Sequence, residues 1–88
     1  APDFLLALLD LGRLYRDQDR FAEALACFDR VIELEPGQPQ AHYQRAATLA
    51  RASFTPEAIA SYRRCLALRP EHPGALLGLG HVLKAVGD

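Results

Sequence analysis

The 88-residue sequence contains no methionine, no tryptophan and only two cysteines. The absence of methionine indicates that the chain has been processed or is an excerpt of a longer one. Cys27 and Cys65 stand far apart in the sequence and have no partners at the spacing of a zinc site. Both fall within apolar helical patterns, so we expect buried or half-buried free thiols. Free thiols fit a reducing compartment, and a cytoplasmic location is therefore favoured.

Long apolar runs and an excess of either charge are also missing. No apolar stretch approaches the roughly 20 residues that a membrane-spanning helix needs. No basic segment precedes the apolar residues 4–9, so a signal peptide is not predicted either. The net charge of −1 provides no overall field to attract nucleic acid or an anionic membrane. We therefore predict neither of these partners.

The sequence offers no arrangement of residues that is typical of catalysis. The three histidines, His42, His72 and His81, are too scattered to form a set of metal ligands. No nucleophile has an activating neighbour, and no glycine-rich phosphate loop follows a strand. We predict no enzyme activity, no cofactor and no metal.

An internal repeat is the main positive feature of the sequence. ALLDLG at residues 7–12 returns as ALLGLG at residues 75–80, and AHYQRA at residues 41–46 lies halfway between them. The same spacing separates three prolines: Pro2, Pro36 and Pro70. A fixed period of this length, roughly 34 residues, is typical of repeat architectures.

Each period divides into two helices. Leucine and alanine outnumber the β-branched residues, which favours helix, and apolar residues recur at spacings of three and four. Polar turns and prolines separate the segments, and in the stretch TPE we expect Thr55 to cap a helix that has Pro56 at its first helical position. The pattern predicts an all-α chain with helices at 3–17, 20–35, 39–52, 56–69 and 73–86. These helices form repeats at 5–38 and 39–72 and a partial repeat at 73–88.

A column of small residues recurs on the first helix of each repeat. The column holds Gly12, Ala46 and Gly80, and the facing positions on the second helices hold Ala24 and Ala58. Small side chains let two helices approach closely. Because a glycine inside a helix costs roughly 1 kcal/mol relative to alanine, its recurrence implies a packing reason. We expect close contacts between helices at this column, with Phe28 and Tyr62 filling the space beside them.

These residues resemble the motif of the tetratricopeptide repeat family. The motif positions are occupied by Leu8, Leu11, Gly12, Tyr15, Ala24, Phe28, Val31 and Pro36 in the first repeat, by Ala46, Leu49, Ala58, Tyr62, Cys65 and Pro70 in the second, and by Leu76, Leu79, Gly80, Leu83 and a turn at Gly87–Asp88 in the third. His42 and Arg45 stand where the family usually has bulky apolar residues. The resemblance implies an α-solenoid of antiparallel helix pairs, with five helices in about two and a half repeats. It also implies a protein-interaction scaffold that binds a peptide or partner protein in a concave groove.

The predicted groove lies on the unused face of the first helices. With 100° of rotation per residue, the motif residues of a first helix point one way and the groove residues point roughly opposite. The predicted groove consists of Leu6, Leu9, Arg13, Arg16, Gln40, Tyr43, Gln44, Arg51, Leu77, His81 and Lys84. It is apolar or amide-bearing near the helix starts and cationic near the helix ends, so it suits a peptide with an apolar anchor and a nearby carboxylate. Alternatively, these arginines only offset the helix C-terminal dipoles.

One known partner class of the family is not predicted here. Some members hold the acidic C-terminal tails of heat-shock chaperones with a clamp of lysine, asparagine and arginine. The corresponding positions in this sequence are Leu9, Arg13, Gln44, Gly74 and Gly78. Only Arg13 among them is cationic.

Two other functions stay open from the sequence. Residues 78–88, GLGHVLKAVGD, also look like array segments that precede O-linked glycosyl- or sulfotransferase domains, so the chain could serve substrate recognition in a larger enzyme. The helix that contains FLLALL is apolar nearly all round, which is typical of a helix buried on more than one side. It could contact missing helices of a longer array or a second copy of the chain.

Overall fold

The computed structural model describes residues 2–87, which form five α-helices and no strand. The helices are α1 (Pro2–Asp17), α2 (Phe21–Leu34), α3 (Pro39–Arg51), α4 (Thr55–Leu68) and α5 (Pro73–Gly87). All five predicted helices are confirmed, and each predicted boundary lies within one residue of the observed one. The turn expected at Gly87–Asp88 lies partly outside the described residues. Gly87 is the last helical residue, and Asp88 is not among the residues described.

The turns inside the first two repeats are copies of one another. Asp19 and Ser53, which occupy the same position in successive repeats, both adopt a left-handed backbone with φ of 60° and 69°. The next residue donates its backbone N–H five residues back in each case, from Arg20 to Tyr15 at 2.9 Å and from Phe54 to Leu49 at 2.8 Å. Such bonds satisfy carbonyl groups at a helix C-terminus and end the helix sharply.

The prediction that Thr55 caps α4 is wrong. Thr55 is already the first helical residue, and Phe54 holds the cap position without a side-chain hydrogen bond. The backbone of the preceding turn sets this start, since Phe54 accepts a bond from the N–H of Ala58 at 3.0 Å. Arg20 and Ala24 repeat the same bond at the start of α2.

The helices stack in chain order, and each one packs against the next. The first helices of successive repeats also touch, α1 against α3 and α3 against α5, whereas α2 and α4 do not contact each other. The first helices therefore form a continuous row, and the second helices are spread apart behind it. This arrangement is an α-solenoid of helix pairs.

Two apolar cores lie along the stack, and each one crosses a repeat boundary. The first core contains Leu9, Ala24, Phe28, Val31 and Ala41, and the second contains Ala46, Tyr62, Cys65 and Ala75. Ala41 and Ala75 come from the first helix of the following repeat. A helix pair is therefore closed by the next helix in the chain.

The small-residue column is closely packed in the first two repeats and open in the third. Ala46 is completely buried in the second core with Tyr62. A Cβ atom added to Gly12 would lie 2.5 Å from Cε1 of Phe28, so the phenylalanine ring occupies the space that we expected Ala24 to approach. A Cβ atom added to Gly80 would meet no such neighbour within 4 Å, because no second helix packs on α5 among the described residues. A further close approach, which the sequence pattern did not indicate, places Gly78 against the ring of Tyr62.

Candidate functional site

The row of first helices presents most of the predicted groove residues to solvent, but not all of them. The exposed members are Leu6, Arg13, Arg51, Leu77, His81 and Lys84; the half-buried members are Arg16, Gln40 and Tyr43; the buried members are Leu9 and Gln44. The two buried residues contribute to the walls of the row rather than to its surface. Because both side chains are buried, the structure does not support their assignment to a peptide-binding surface.

The burial of Leu9 and Leu11 is the reverse of what we predicted from the sequence. We expected Leu11 to pack inward and Leu9 to face the groove. Leu9 is only 8% exposed and belongs to the first core, while Leu11 is 41% exposed. The counterparts of Leu9 show the cause. Tyr43 is half-buried beneath α5, whereas Leu77 on α5 itself is 63% exposed. The repeat position shared by Leu9, Tyr43 and Leu77 therefore faces the first helix of the following repeat.

The column of Leu11 faces the other way along the stack. Its counterpart Arg45 bonds to Asp29 of the preceding helix pair at 2.8 Å, and Leu79 packs against the second core. Leu11 is exposed because no helix precedes α1 among residues 2–87. Helical periodicity shows that Leu9 and Leu11 lie on different sides of α1. It does not show which neighbouring helix packs on each side.

The cations of the predicted groove are partly offset by nearby carboxylates. Arg13 lies 3.7 Å from Asp10, and Arg51 lies 3.3 Å from Asp19. Each of these pairs is exposed, and such pairs contribute at most about 1 kcal/mol. A ligand carboxylate can therefore compete for the two arginines at small cost.

Arg16 is held more firmly than the other groove cations. Its guanidinium donates a hydrogen bond to the side-chain carbonyl of Gln44 on α3 and lies 3.5 Å from Asp17. Burial raises the pKa of the neighbouring Tyr62, and the phenol of Tyr43 raises it further, while Arg16 opposes the rise. Tyr62 is therefore a neutral phenol at physiological pH.

An aromatic cluster supports the middle of the row. The ring centroids of Tyr43 and His72 lie 4.9 Å apart, and those of Tyr43 and Tyr62 lie 6.2 Å apart. A Cβ atom added to Gly74 would lie 2.8 Å from Cζ of Tyr43. The glycine at the start of α5 thus lets this helix pack directly against the tyrosine ring, and the contact holds the ring in place.

His72 has a structural role that the sequence reasoning missed. Its Nδ1 accepts a hydrogen bond from the backbone N–H of Ala75 at 3.0 Å, so its Nε2 is the nitrogen that donates to the side-chain carbonyl of Gln40 at 3.3 Å. Gln38, at the same position of the preceding repeat, likewise accepts a bond from the N–H of Gln40. Both residues directly precede a proline that begins a helix. This sequence pattern is the feature from which their capping role could have been predicted.

The structure places neither a set of metal ligands nor a membrane-spanning helix in the part of the chain that it describes. Among residues 2–87 there is no group of three histidine, cysteine or carboxylate side chains that could hold a metal ion. His42 is buried, and its Nε2 donates a hydrogen bond to the carbonyl of Pro36 at 3.0 Å, so its role is structural. Within the same residues, no helix combines the length and apolar character that crossing a bilayer requires.

Comparisons with known proteins give a consistent result for sequence and for fold. The family model of the tetratricopeptide repeat matches residues 9–73 and 43–83. The peroxisomal targeting signal receptors of Kluyveromyces lactis and Saccharomyces cerevisiae are each 32% identical over 62 residues, which is 70% of this chain and 11% and 10% of those receptors. The chain thus spans about a tenth of the length of the curated relatives that it matches.

Solved structures with the same arrangement of helices have lower sequence identity. The first tetratricopeptide domain of Spaghetti (RPAP3), bound to the HSP90 peptide SRMEEVD, superposes with a TM-score of 0.91 at 22% identity, covering 97% of this chain and 69% of that one. MamA AMB-1 superposes with a TM-score of 0.81 at 23% identity, covering 99% of this chain and 48% of that one. At this identity the likeness concerns the fold alone.

Proposed function

The chain belongs to the tetratricopeptide repeat family and is a protein-interaction repeat, and from this premise we propose that it binds an extended peptide along the row formed by α1, α3 and α5. The observation that carries the proposal is the contact pattern of the helices. The first helices touch one another while α2 and α4 do not, so the first-helix side is the more tightly curved one. Such a side offers a peptide several helices at once.

The proposed peptide has an apolar anchor and a nearby carboxylate. Leu6 and Leu77 are exposed apolar side chains on the first and last helices of the row. The cations Arg13, Arg51 and Lys84 are all exposed, and the pairs that two of them form with carboxylates are weak enough to be exchanged. Leu9 and Gln44 are left out of the proposed contact surface because they are buried.

The compared proteins support this class of ligand without identifying the ligand. The curated relatives are receptors for peroxisomal targeting signals, and one structural neighbour holds an acidic HSP90 peptide. The chaperone tail is still not our proposed ligand. Of the five clamp positions only Arg13 is cationic, and Leu9 and Gln44 are withdrawn from solvent. We assign no catalytic step to these residues.

The experiment compares two double charge reversals in the complete chain. Peptides selected from a displayed random library are measured by fluorescence anisotropy against the original chain and against Arg13→Glu with Arg51→Glu. We expect the affinity for acidic peptides to fall about tenfold or more, since two attractive charges become repulsive. Helix content measured by circular dichroism should not change, because both arginines are exposed.

The matched control is Arg30→Glu with Arg63→Glu. These residues are also exposed, and they lie on α2 and α4, so the variant carries the same charge change on the second-helix side. We expect its affinity to stay within about twofold of the original. An unaltered affinity in the Arg13 and Arg51 variant would remove the proposed groove.

A second candidate is self-assembly through α1. Phe4, Leu11 and Leu14 are exposed on this helix, and their spacings of seven and three place them along one side. Sedimentation velocity over a wide concentration range tests this candidate. We expect an increase in the sedimentation coefficient with concentration that is lost in Leu14→Glu; a monomer at every concentration would rule self-assembly out.

A further inference from the structure

A pocket opens on the second-helix side, where α2 and α4 do not meet. It has a volume of about 330 Å³ and is broadly open to solvent. Asp29 and Ile32 of α2 form one wall, and Ser61 and Arg64 of α4 form the other. The helix α3 forms the floor of the pocket. The pocket therefore exists because the second helices are spread apart while the first helices are in contact.

The floor of this pocket consists of the two residues that depart from the repeat pattern. His42 occupies the position of Leu8 and Leu76, and Arg45 occupies the position of Leu11 and Leu79. The central repeat thus has a histidine and an arginine at positions where its neighbours carry leucine. Both departures line the same cavity.

Arg45 is oriented by bonds to both walls of the pocket. Its Nε donates to Oδ1 of Asp29 at 2.8 Å, and its Nη1 donates to Oγ of Ser61 at 2.6 Å. The side chain is about one-third exposed, at 32%. Within residues 2–87 its Nη2 has no hydrogen-bond partner, so this nitrogen is free to donate to a ligand.

The pocket carries a net positive charge. Arg64 also lines it, is exposed and forms no ion pair with any described residue. Two guanidinium groups therefore face one carboxylate, that of Asp29. Arginine is well suited to binding carboxylates because its planar group presents several donors in fixed directions.

We propose that this pocket binds a glutamate side chain of a partner protein. The carboxylate would pair with Arg45 and Arg64, and the methylene groups would contact Ile32 and Ala60. A pocket that is open on one side suits a side chain presented by a protein surface better than an enclosed small molecule. Asp29 disfavours a doubly charged phosphate more strongly than a singly charged carboxylate.

The binding test is a titration of the isotopically labelled chain, followed by its amide signals in NMR spectra. The probe is N-acetyl-Ala-Glu-Ala-amide, and the matched neutral probe has glutamine in place of glutamate. We expect saturable shifts of the amides in residues 29–32 and 60–64 with the glutamate peptide, and at least about fivefold weaker binding with the glutamine peptide. Equal binding of the two peptides, or no saturable shift in these residues, would overturn the proposal.

Two further arms identify the source of the carboxylate. Succinate tests a free dicarboxylate, and inorganic phosphate tests a general anion site. We expect both to bind more weakly than the glutamate peptide. Tighter binding of succinate would assign the pocket to a small molecule, and tighter binding of phosphate would assign it to a phosphorylated ligand; either result overturns the proposal.

Neighbouring arginines on α4 provide the matched variants. Arg64→Glu should abolish binding of the peptide, whereas Arg63→Glu, an exposed residue outside the pocket lining, should keep it within about twofold. Ala60→Glu places a carboxylate one helical turn before Arg64, a favourable spacing for an ion pair, and should also abolish binding. Equal losses in the Arg63 and Arg64 variants would show a nonspecific charge effect and overturn the proposal.

Discussion

Gly12 of α1 lies directly against the ring of Phe28 of α2. A Cβ atom at this glycine would lie 2.5 Å from Cε1 and 2.7 Å from Cζ of the ring. Phe28 is completely buried, so its ring cannot turn away into solvent. The glycine is therefore required by the packing of the first helix pair and not by any turn in the backbone.

The Gly12→Ala variant should be less stable than the original chain. Overpacking at a closed site costs about 1–3 kcal/mol. Because the added Cβ atom would lie only 2.5 Å from the ring, we expect a cost in the upper part of this range, which exceeds the gain in helix propensity of about 1 kcal/mol that alanine offers. Urea unfolding followed by circular dichroism measures the change in the free energy of unfolding.

Gly80→Ala is the matched control at the same repeat position. A Cβ atom added here would meet no packing neighbour within 4 Å, so only the gain in helix propensity acts. We expect the free energy of unfolding to rise by about 0.5–1 kcal/mol. Changes of the same sign in both variants would contradict the packing argument.

Leu11 and Leu79 share a repeat position but should respond differently to truncation. Leu79 packs against the second core, so Leu79→Ala should lower the free energy of unfolding by about 2 kcal/mol. Leu11 is exposed, and Leu11→Ala should cost less than about 1 kcal/mol. Thermal and urea unfolding of both variants tests the prediction, which fails if the Leu11 variant is the less stable one.

The polar network of Arg45 should contribute little to stability. The ion pair of Arg45 with Asp29 is partly exposed, and such pairs contribute at most about 1 kcal/mol. Leu79 shows that leucine fits the equivalent position. The double variant Arg45→Leu with Ser61→Ala should therefore unfold within about 1 kcal/mol of the original chain. A much larger loss would indicate that the arginine is present for stability and would weaken the argument for a binding role.

Alkaline pH should destabilise the fold through its buried thiols. Burial raises the pKa of Cys65 above its ordinary value of 9.0, with Arg69 opposing the rise, and burial likewise raises the pKa of Cys27. A thiol whose pKa is raised by folding stabilises the native state below pH 9.0. That contribution is lost as the pH rises through the native-state pKa. The free energy of unfolding should therefore decline above about pH 9.

Cys65→Ala isolates this effect from the other groups that titrate at high pH. The variant removes one buried thiol, so its free energy of unfolding should decline less steeply than that of the original chain. The comparison runs from about pH 8.5 to about pH 10.5, a range that begins below the ordinary pKa of a thiol and extends above it. Urea unfolding at several pH values provides both slopes. Identical slopes would exclude a contribution from Cys65.

The five helices and their boundaries could be predicted from the sequence because each helix carries its own local sequence features. Apolar spacing defines the helices, and the prolines and polar turns bound them to within one residue. The error at Thr55 has a local cause. The left-handed backbone at Ser53 and the bond from Phe54 to Leu49 start the helix earlier than a side-chain cap would.

The candidate site was only partly predictable. Periodicity distinguishes the side of Leu9 from the side of Leu11, but burial depends on which neighbouring repeat covers each side. The departures at His42 and Arg45 are visible in the sequence. The cavity above them is not, because it depends on the distance between α2 and α4, which have no direct contact.

The helix α3 contributes residues to both apolar cores, Ala41 to the first and Ala46 to the second. No boundary between the repeats can therefore open without disturbing this helix. Its amide protons should be the last to exchange with deuterated solvent, whereas those of α1 and α5 exchange through smaller, local openings. We therefore expect α3 to open only when the whole stack unfolds, and we expect a single repeat excised from the chain not to fold on its own.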